Sequence, residues 1–410
     1  MIYKSPISKL VVKKQQDKFV DDTGCGCNAK SEECESILDQ TQHNCQKHSD
    51  YVETTGGMVA ADKSHYYDIR WEIRDGIQKS KRDECDESKI LLRQCDGVVR
   101  EFRKMKPYEE HKTLGCWVNP LGIQNKAYLQ IQNFMQSWAN RMRHSNLPAK
   151  LIRKSYESEL KSQIRYRLPV YAFSKKQCDK LMKIVNPILL HSQFMNKNYP
   201  RTLVYANDQY GGLNMTHVYD IMGIEKIKFF FMHLRRQDTT AQLLLISMQT
   251  TQMECGSGKL FFNLPYTTFS KLATKTWCKS LWEYCDAREM EFDIGLNVVP
   301  PLQRKHDHFI MDILVKYGNF STKELFGINK YRQHLQLLML SDVTDLRGKR
   351  LMREIQEGKR SRRSNYKFCP QKPIKAWETL WTSKVCPILN MVLQRQPLGA
   401  WVHESHQLWT

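Results

Sequence analysis

The spacing of apolar and polar residues changes character near residue 122. Upstream, short strand patterns alternate with turns. Lys18-Phe19-Val20 suits a strand, Asp21-Asp22 sits at a turn, and Thr23 to Asn28 returns, which predicts a hairpin over residues 17–29. Ser31 can cap a helix reaching Thr54, with Ile37, Leu38 and Cys45 inward, and the pair Gly56-Gly57 should stop it. Tyr67, Ile69 and Trp71 alternate with polar residues and predict one half-buried strand. Residues 78–97 are polar and mixed in charge, which suits a loop or short helix. Leu114-Gly115-Cys116-Trp117 predicts a second short strand, closed by Pro120-Leu121-Gly122.

Downstream the period is helical. Ala127, Ile131, Phe134, Met135, Trp138 and Met142 share one face over four turns. Pro148 suits a helix start, and Ile152, Tyr156, Leu160 and Ile164 continue one face in steps of four. Ser174 with Gln177 has the form of a capping box ahead of Leu181, Met182 and Val185. Further helices are predicted at 216–235, 239–254 and about 270–286, the last carrying Leu272, Trp277 and Leu281. Gly256-Ser257-Gly258 breaks the chain between them. The Pro-Pro within Asn297–Pro301 marks a second boundary, followed by helices at 306–317 and 329–341. Three consecutive segments are therefore expected, 1–122, 123–295 and 296–410, in an α+β chain with a mainly helical body.

Charge sharpens this division. The 410 residues carry a net charge of +20. Residues 1–112 hold 20 basic and 21 acidic side chains, whereas residues 113–410 hold 43 and 22. A basic body of this kind is the footprint of a polyanion partner, and it also suits a generically basic soluble surface. No apolar run approaches the ~18–20 residues of a membrane span. The start of the chain lacks the basic and apolar segments of a signal peptide. Together these imply an intracellular protein, cytoplasmic or nuclear, with no membrane partner. The 13 cysteines follow neither a disulfide framework nor zinc spacing, and suit reduced thiols.

One motif carries chemistry. Two-metal nucleotidyl transfer needs carboxylates that hold two Mg²⁺ ions roughly 3.5–4 Å apart. A hairpin can present such carboxylates side by side, with an apolar residue ahead of them anchored in the sheet. Phe19-Val20-Asp21-Asp22-Thr23 has that form, although paired aspartates also occur in ordinary solvated turns. The context adds to it. Thr54-Thr55-Gly56-Gly57 runs through to Asp62-Lys63, and Thr113-Leu114-Gly115 follows. In this order the chain resembles reverse transcriptases of the retroelement type, in which an aromatic-x-Asp-Asp hairpin, a Gly turn with a Lys, and a Leu-Gly strand succeed one another. Tyr199-Pro200-Arg201, Tyr210-Gly211-Gly212-Leu213 and Leu340-Ser341-Asp342 resemble the region that follows the palm in those proteins.

The resemblance implies roles for individual residues. Asp21 would ligate Mg²⁺ (or Mn²⁺), with Asp22 its less critical neighbour. Lys63 would be the acid toward departing pyrophosphate, or else an exposed lysine at a strand edge. Leu114 and Gly115 would belong to the strand that grips a primer end. Residues 1–122 would be the remnant of a palm, 123–295 a thumb-like body, and 296–410 a basic, mainly helical segment. The family also needs a metal-binding aspartate on a neighbouring strand and fingers upstream, and only twenty residues precede Asp21. The implied function is a fragment of an RNA-directed DNA polymerase, inactive alone. The alternative is a nucleic-acid-binding remnant without catalysis.

For the duplex of RNA template and DNA primer, the outer faces of the helical body supply candidates: Arg141, Arg143, Arg153, Lys154, Arg165 and Arg167, with Lys150, Lys161 and Tyr166 among them. Glu157 and Glu159 intersperse this set, as on an ordinary solvated helix. Arg235-Arg236 and the run from Arg347 to Arg363 are further phosphate candidates. Trp377, Trp381, Trp401 and Trp409 suit packing of a small C-terminal element better than base stacking.

Overall fold

A computed structural model describes residues 2–13, 16–19, 22–25, 27, 34–74, 77–80, 89–359, 366–368 and 372–402. Helices dominate, and the described strands form small two-stranded sheets, consistent with an α+β class. The compact units interleave in sequence. One comprises Met1–Pro107, Gln242–Thr274 and Glu289–Thr410, the other Tyr108–Ala241 and Lys275–Arg288. The three consecutive segments expected from the sequence are thus replaced by two discontinuous units.

The first unit begins with β1 (Ile2–Lys4) antiparallel to β2 (Val11–Lys13). Next come β3 (Gln16–Phe19) and β4 (Asp22–Cys25), antiparallel, with Phe19 opposite Asp22. The expected hairpin is present, and only Val20 and Asp21 separate its strands. Helix α1 (Cys34–Thr54) follows. Gly57 N–H donates to the Val52 carbonyl (3.0 Å), Gly56 N–H donates to that of Glu53 (2.9 Å), and Gly56 has φ +78°. That is a Schellman stop, as the glycine pair predicts.

Strands β5 (His65–Tyr67) and β6 (Trp71–Arg74) replace the single strand expected through Tyr67, Ile69 and Trp71. Trp71 is 57% exposed, so it does not serve as an inward anchor. The region assigned to a loop or short helix instead supplies β7 (Ile77–Ser80), paired with β6, and β8 (Leu91–Arg93), paired with β9 (Val99–Glu101). Strand β10 (Arg103–Met105) runs parallel to β5. The other edge of β8 is covered by side chains. Leu91 N–H donates to Gln42 Oε1 (2.8 Å) and Arg93 N–H to Gln46 Oε1 (3.0 Å), while Gln46 Nε2 donates to the Arg93 carbonyl (2.8 Å). Two glutamines four apart on α1 thus occupy an edge that would otherwise be open to another strand. Beneath them lie Ala61, Ile90, Leu92 and Phe102.

The second unit opens with β11 (His111–Thr113) and β12 (Cys116–Val118), antiparallel. Helix α2 (Asn125–Arg143) buries Ala127, Ile131, Met135, Trp138 and Met142 as the spacing predicts, with Phe134 half-buried. The buried Glu110 carboxylate accepts from Lys126 N–H (2.8 Å) and Ala127 N–H (3.3 Å), which satisfies free donors where the helix dipole favours an anion. Helix α3 (Ala149–Ser155) passes through a π turn (Tyr156–Leu160) into α4 (Lys161–Arg167). Ile152, Tyr156, Leu160 and Ile164 are all buried. Steps of four drift by about 40° each on a regular α-helix. In the π turn, Lys161 N–H reaches back five residues to the Tyr156 carbonyl, which widens the turn and realigns the row.

Helix α5 (Lys175–Ser192) starts at the expected capping box of Ser174 and Gln177 and buries Leu181, Met182 and Val185. Helices α6 (Arg201–Tyr205) and α7 (Val218–Arg236) follow. Helix α8 (Thr239–Cys255) ends at Gly256, whose φ is +67°. After the single turn α9 (Tyr266–Phe269), α10 (Trp277–Asp286) begins later than predicted. Thr276 caps it by accepting from Lys279 N–H (3.1 Å).

The remainder of the first unit holds α11 (Ile310–Tyr317) and α12 (Thr322–His334). The predicted helix at 329–341 is displaced toward the N-terminus because Ser321 and Glu324 form a capping box, a signal present in the sequence but overlooked. Arg332 is fully buried and donates to the carbonyls of Leu337 (2.7 Å) and Met253 (3.0 Å) and to Asn329 Oδ1 (2.8 Å). Trp377 and Trp381 are buried, in keeping with packing; Trp409 lies outside the described residues. Among the described residues, no helix is long and apolar enough to cross a membrane.

Candidate nucleic-acid interface

The residues assigned to catalysis receive little support as a group. Asp21 lies outside the described residues, and Asp22 is placed only by its backbone, at the start of β4. Among the described residues, β3 and β4 pair with each other and with no third strand. Lys63 is exposed in the turn after α1, its N–H donating to the Ala60 carbonyl (3.2 Å). No group of three or more His, Cys, Asp or Glu among the described residues could hold a metal ion. The described residues therefore do not fit the divalent ion that the resemblance implies.

Leu114 and Gly115 are the two-residue turn between β11 and β12, where a strand was expected. Their φ values are +49° and +81°, both left-handed, as a tight antiparallel hairpin requires. Leu114 is 44% exposed, and its carbonyl accepts from the Tyr166 hydroxyl (3.2 Å). Gly115 meets the demand for positive φ without strain, whereas Leu114 does not.

Most of the arginines chosen from the sequence are already engaged. Arg141 pairs with Glu159, and Arg165 Nε with Glu225 (2.8 Å). Arg153 donates to the Leu213 carbonyl (3.0 Å). Arg167 is half-buried, and its Nε lies out of solvent with no acceptor. Lys161 bridges Glu157 (2.8 Å) and Thr216 Oγ1 (3.0 Å). Exposed ion pairs contribute at most about 1 kcal/mol each, so a phosphate could displace them, but they leave this face nearly neutral. Lys154 and Arg143 stay exposed, Arg143 within reach of Asn140 Oδ1 (3.4 Å).

The uncompensated charge lies on α5, which the sequence reading passed over. Lys176, Lys180 and Lys183 are exposed and spaced by four and three, so they share one face. Among the described residues, none of the three has a carboxylate within ion-pair distance. Asp179, on the same helix, turns away to His217 Nε2 (3.1 Å). Lys175 and Lys176 occupy the first turn, where no acid offsets them and the helix dipole disfavours cations. The signal was legible as lysines at i, i+4 and i+7, but attention to the apolar face hid it. Arg235 and Arg236 are also exposed, at the end of α7, where the dipole favours them.

A buried polar layer supports these helices. Lys226 on α7 is 0% exposed, donates to Ser280 Oγ and lies over the Trp277 ring (5.5 Å). Burial pushes its ammonium down to about 7. Asp220 accepts from Arg288 Nε (2.8 Å) and from the Tyr284 hydroxyl (3.2 Å), tying α7 to α10. Burial lowers the His217 pKa, against the pull of Asp179.

Comparison of the chain with models of protein families, with curated proteins and with solved structures finds no match.

Proposed function

We propose that the chain binds nucleic acid through its helical unit, as the non-catalytic part of a reverse-transcriptase-like protein. The observation that carries this reading is the unpaired lysine row Lys176, Lys180 and Lys183. Three like charges on one face, two lysines against a helix dipole and no compensating acid make a surface that gains from a polyanion. Phosphate contacts position without reading sequence, so the expected binding is general. Titrating a labelled duplex against salt tests it. Three phosphate contacts give a slope of roughly −2.7, or about a 40-fold loss between 50 and 200 mM salt. The triple variant K176Q/K180Q/K183Q should remove most of that slope. Absent binding, or an unchanged slope in the variant, would overturn the proposal.

A polymerase reading rests on a separate observation, the order of the β3–β4 hairpin, α1, its Gly56-Gly57 stop and Lys63. In that reading Asp21 and Asp22 hold Mg²⁺ or Mn²⁺ only when another polypeptide supplies the fingers and the partner carboxylate. Primer extension on an RNA template, with such a polypeptide added, tests it. Incorporation should require Asp21, and incorporation that survives Asp21→Asn would refute it.

A further inference from the structure

The C-terminus of α5 ends in a Schellman motif with an unusual residue at its key position. Met195 N–H donates to the Leu190 carbonyl (2.9 Å), and Phe194 N–H donates to that of His191 (3.0 Å). Phe194 thus holds the left-handed place normally given to glycine, with φ +59°. Such a conformation is costly for a bulky residue and is usually offset by packing. Here it is not, because Phe194 is 96% exposed.

Phe194 stands at the mouth of a cleft of about 650 Å³, within the range of ligand pockets. Its floor includes Met142, Ile152 and Ile188, each nearly buried. Arg143, His191 and Lys197 line it, with no aspartate or glutamate. We propose that this cleft takes an unpaired base of a single-stranded nucleic acid stacked on Phe194, with the flanking phosphates on Arg143 and Lys197. The inference rests on the nucleic-acid reading above and adds that single strands are held by a dedicated platform. An acidic amphipathic peptide would also suit a basic apolar cleft. A base is favoured because a stacking platform must present its ring face to solvent, as Phe194 does at a cost in backbone energy.

The test compares a short labelled single-stranded oligonucleotide with a duplex of equal length, using the full chain. Phe194→Ala should weaken single-strand binding about 5- to 150-fold, the loss of one stacked base, and leave duplex binding unchanged. Phe194→Trp should restore it. Circular dichroism checks that the variants remain folded. Unchanged single-strand affinity in Phe194→Ala, or equal losses for both oligonucleotides, would overturn the inference while leaving the general reading intact. So would an acidic amphipathic peptide whose binding, unlike that of the oligonucleotide, depends on Phe194. If the unaltered chain binds neither oligonucleotide, the general reading itself fails.

Discussion

Replacing Lys226 by methionine should stabilise the second unit at neutral pH, although it deletes a hydrogen bond. Lys226 is fully buried between α7 and α10, and burial pushes its ammonium from 10.5 down to about 7. A lysine depressed in the folded state binds its proton more tightly when unfolded. Stability therefore rises with pH between the folded and the unfolded pKa. At pH 7 that imbalance costs about 4 kcal/mol, and raising the pH to about 8.5 recovers roughly 1.5 kcal/mol of it. Methionine has similar length and no charge, but it gives up the Ser280 partner and the contact with the Trp277 ring. Each is worth about 1 kcal/mol, which leaves a net gain of roughly 1–3 kcal/mol at pH 7. The assay is hydrogen exchange of buried α7 amides at several pH values, which reports this unit separately. Lys226→Met should raise protection at pH 7 and flatten its rise toward pH 8.5. Above about pH 9 the comparison loses force. Burial raises Cys178 and Cys285 to about 12, and that stabilisation is lost as pH climbs past the ordinary thiol range. A variant less stable than the parent at pH 7, or a parent whose stability falls from pH 7 to 8.5, would refute the reasoning.

Gly223 on α7 has no space for a side chain, since a Cβ there would lie 2.3 Å from the Tyr284 ring. Alanine gains about 1 kcal/mol in helix propensity, yet overpacking costs typically 1–3, so Gly223→Ala should lower thermal stability; an unchanged or raised Tm would contradict the packing. Phe194→Gly relieves left-handed strain at an exposed position and should add about 1 kcal/mol in chemical denaturation while abolishing the single-strand preference. Glu110→Ala removes the carboxylate that caps α2 and leaves two buried donors short of partners, for an expected loss of about 1–2 kcal/mol by the same measurement.

Local signals survived into the structure wherever a few neighbouring residues decide the outcome. The capping box at Ser174 and Gln177, the glycine stop of α1 and the apolar faces of α2 and α5 depend on spacing alone. The hairpin around Phe19 and Asp22 was legible for the same reason. Other features required distant partners. The sequence offered arginines on a helical face, but only the packing of α4 against α7 revealed that Glu225, sixty residues on, neutralises Arg165. Likewise Asp179 could be read as a counter-ion for the α5 lysines until the fold turned it toward His217. Leu114 and Gly115 were expected in a strand because apolar residues favour one, and the register of β11 with β12 made them a turn instead. Composition and spacing determined by themselves that this would be a basic, largely helical chain with a short-stranded N-terminal region. Which charges remain free for a polyanion was decided by tertiary structure, because pairing depends on distances in space between residues that the sequence keeps far apart.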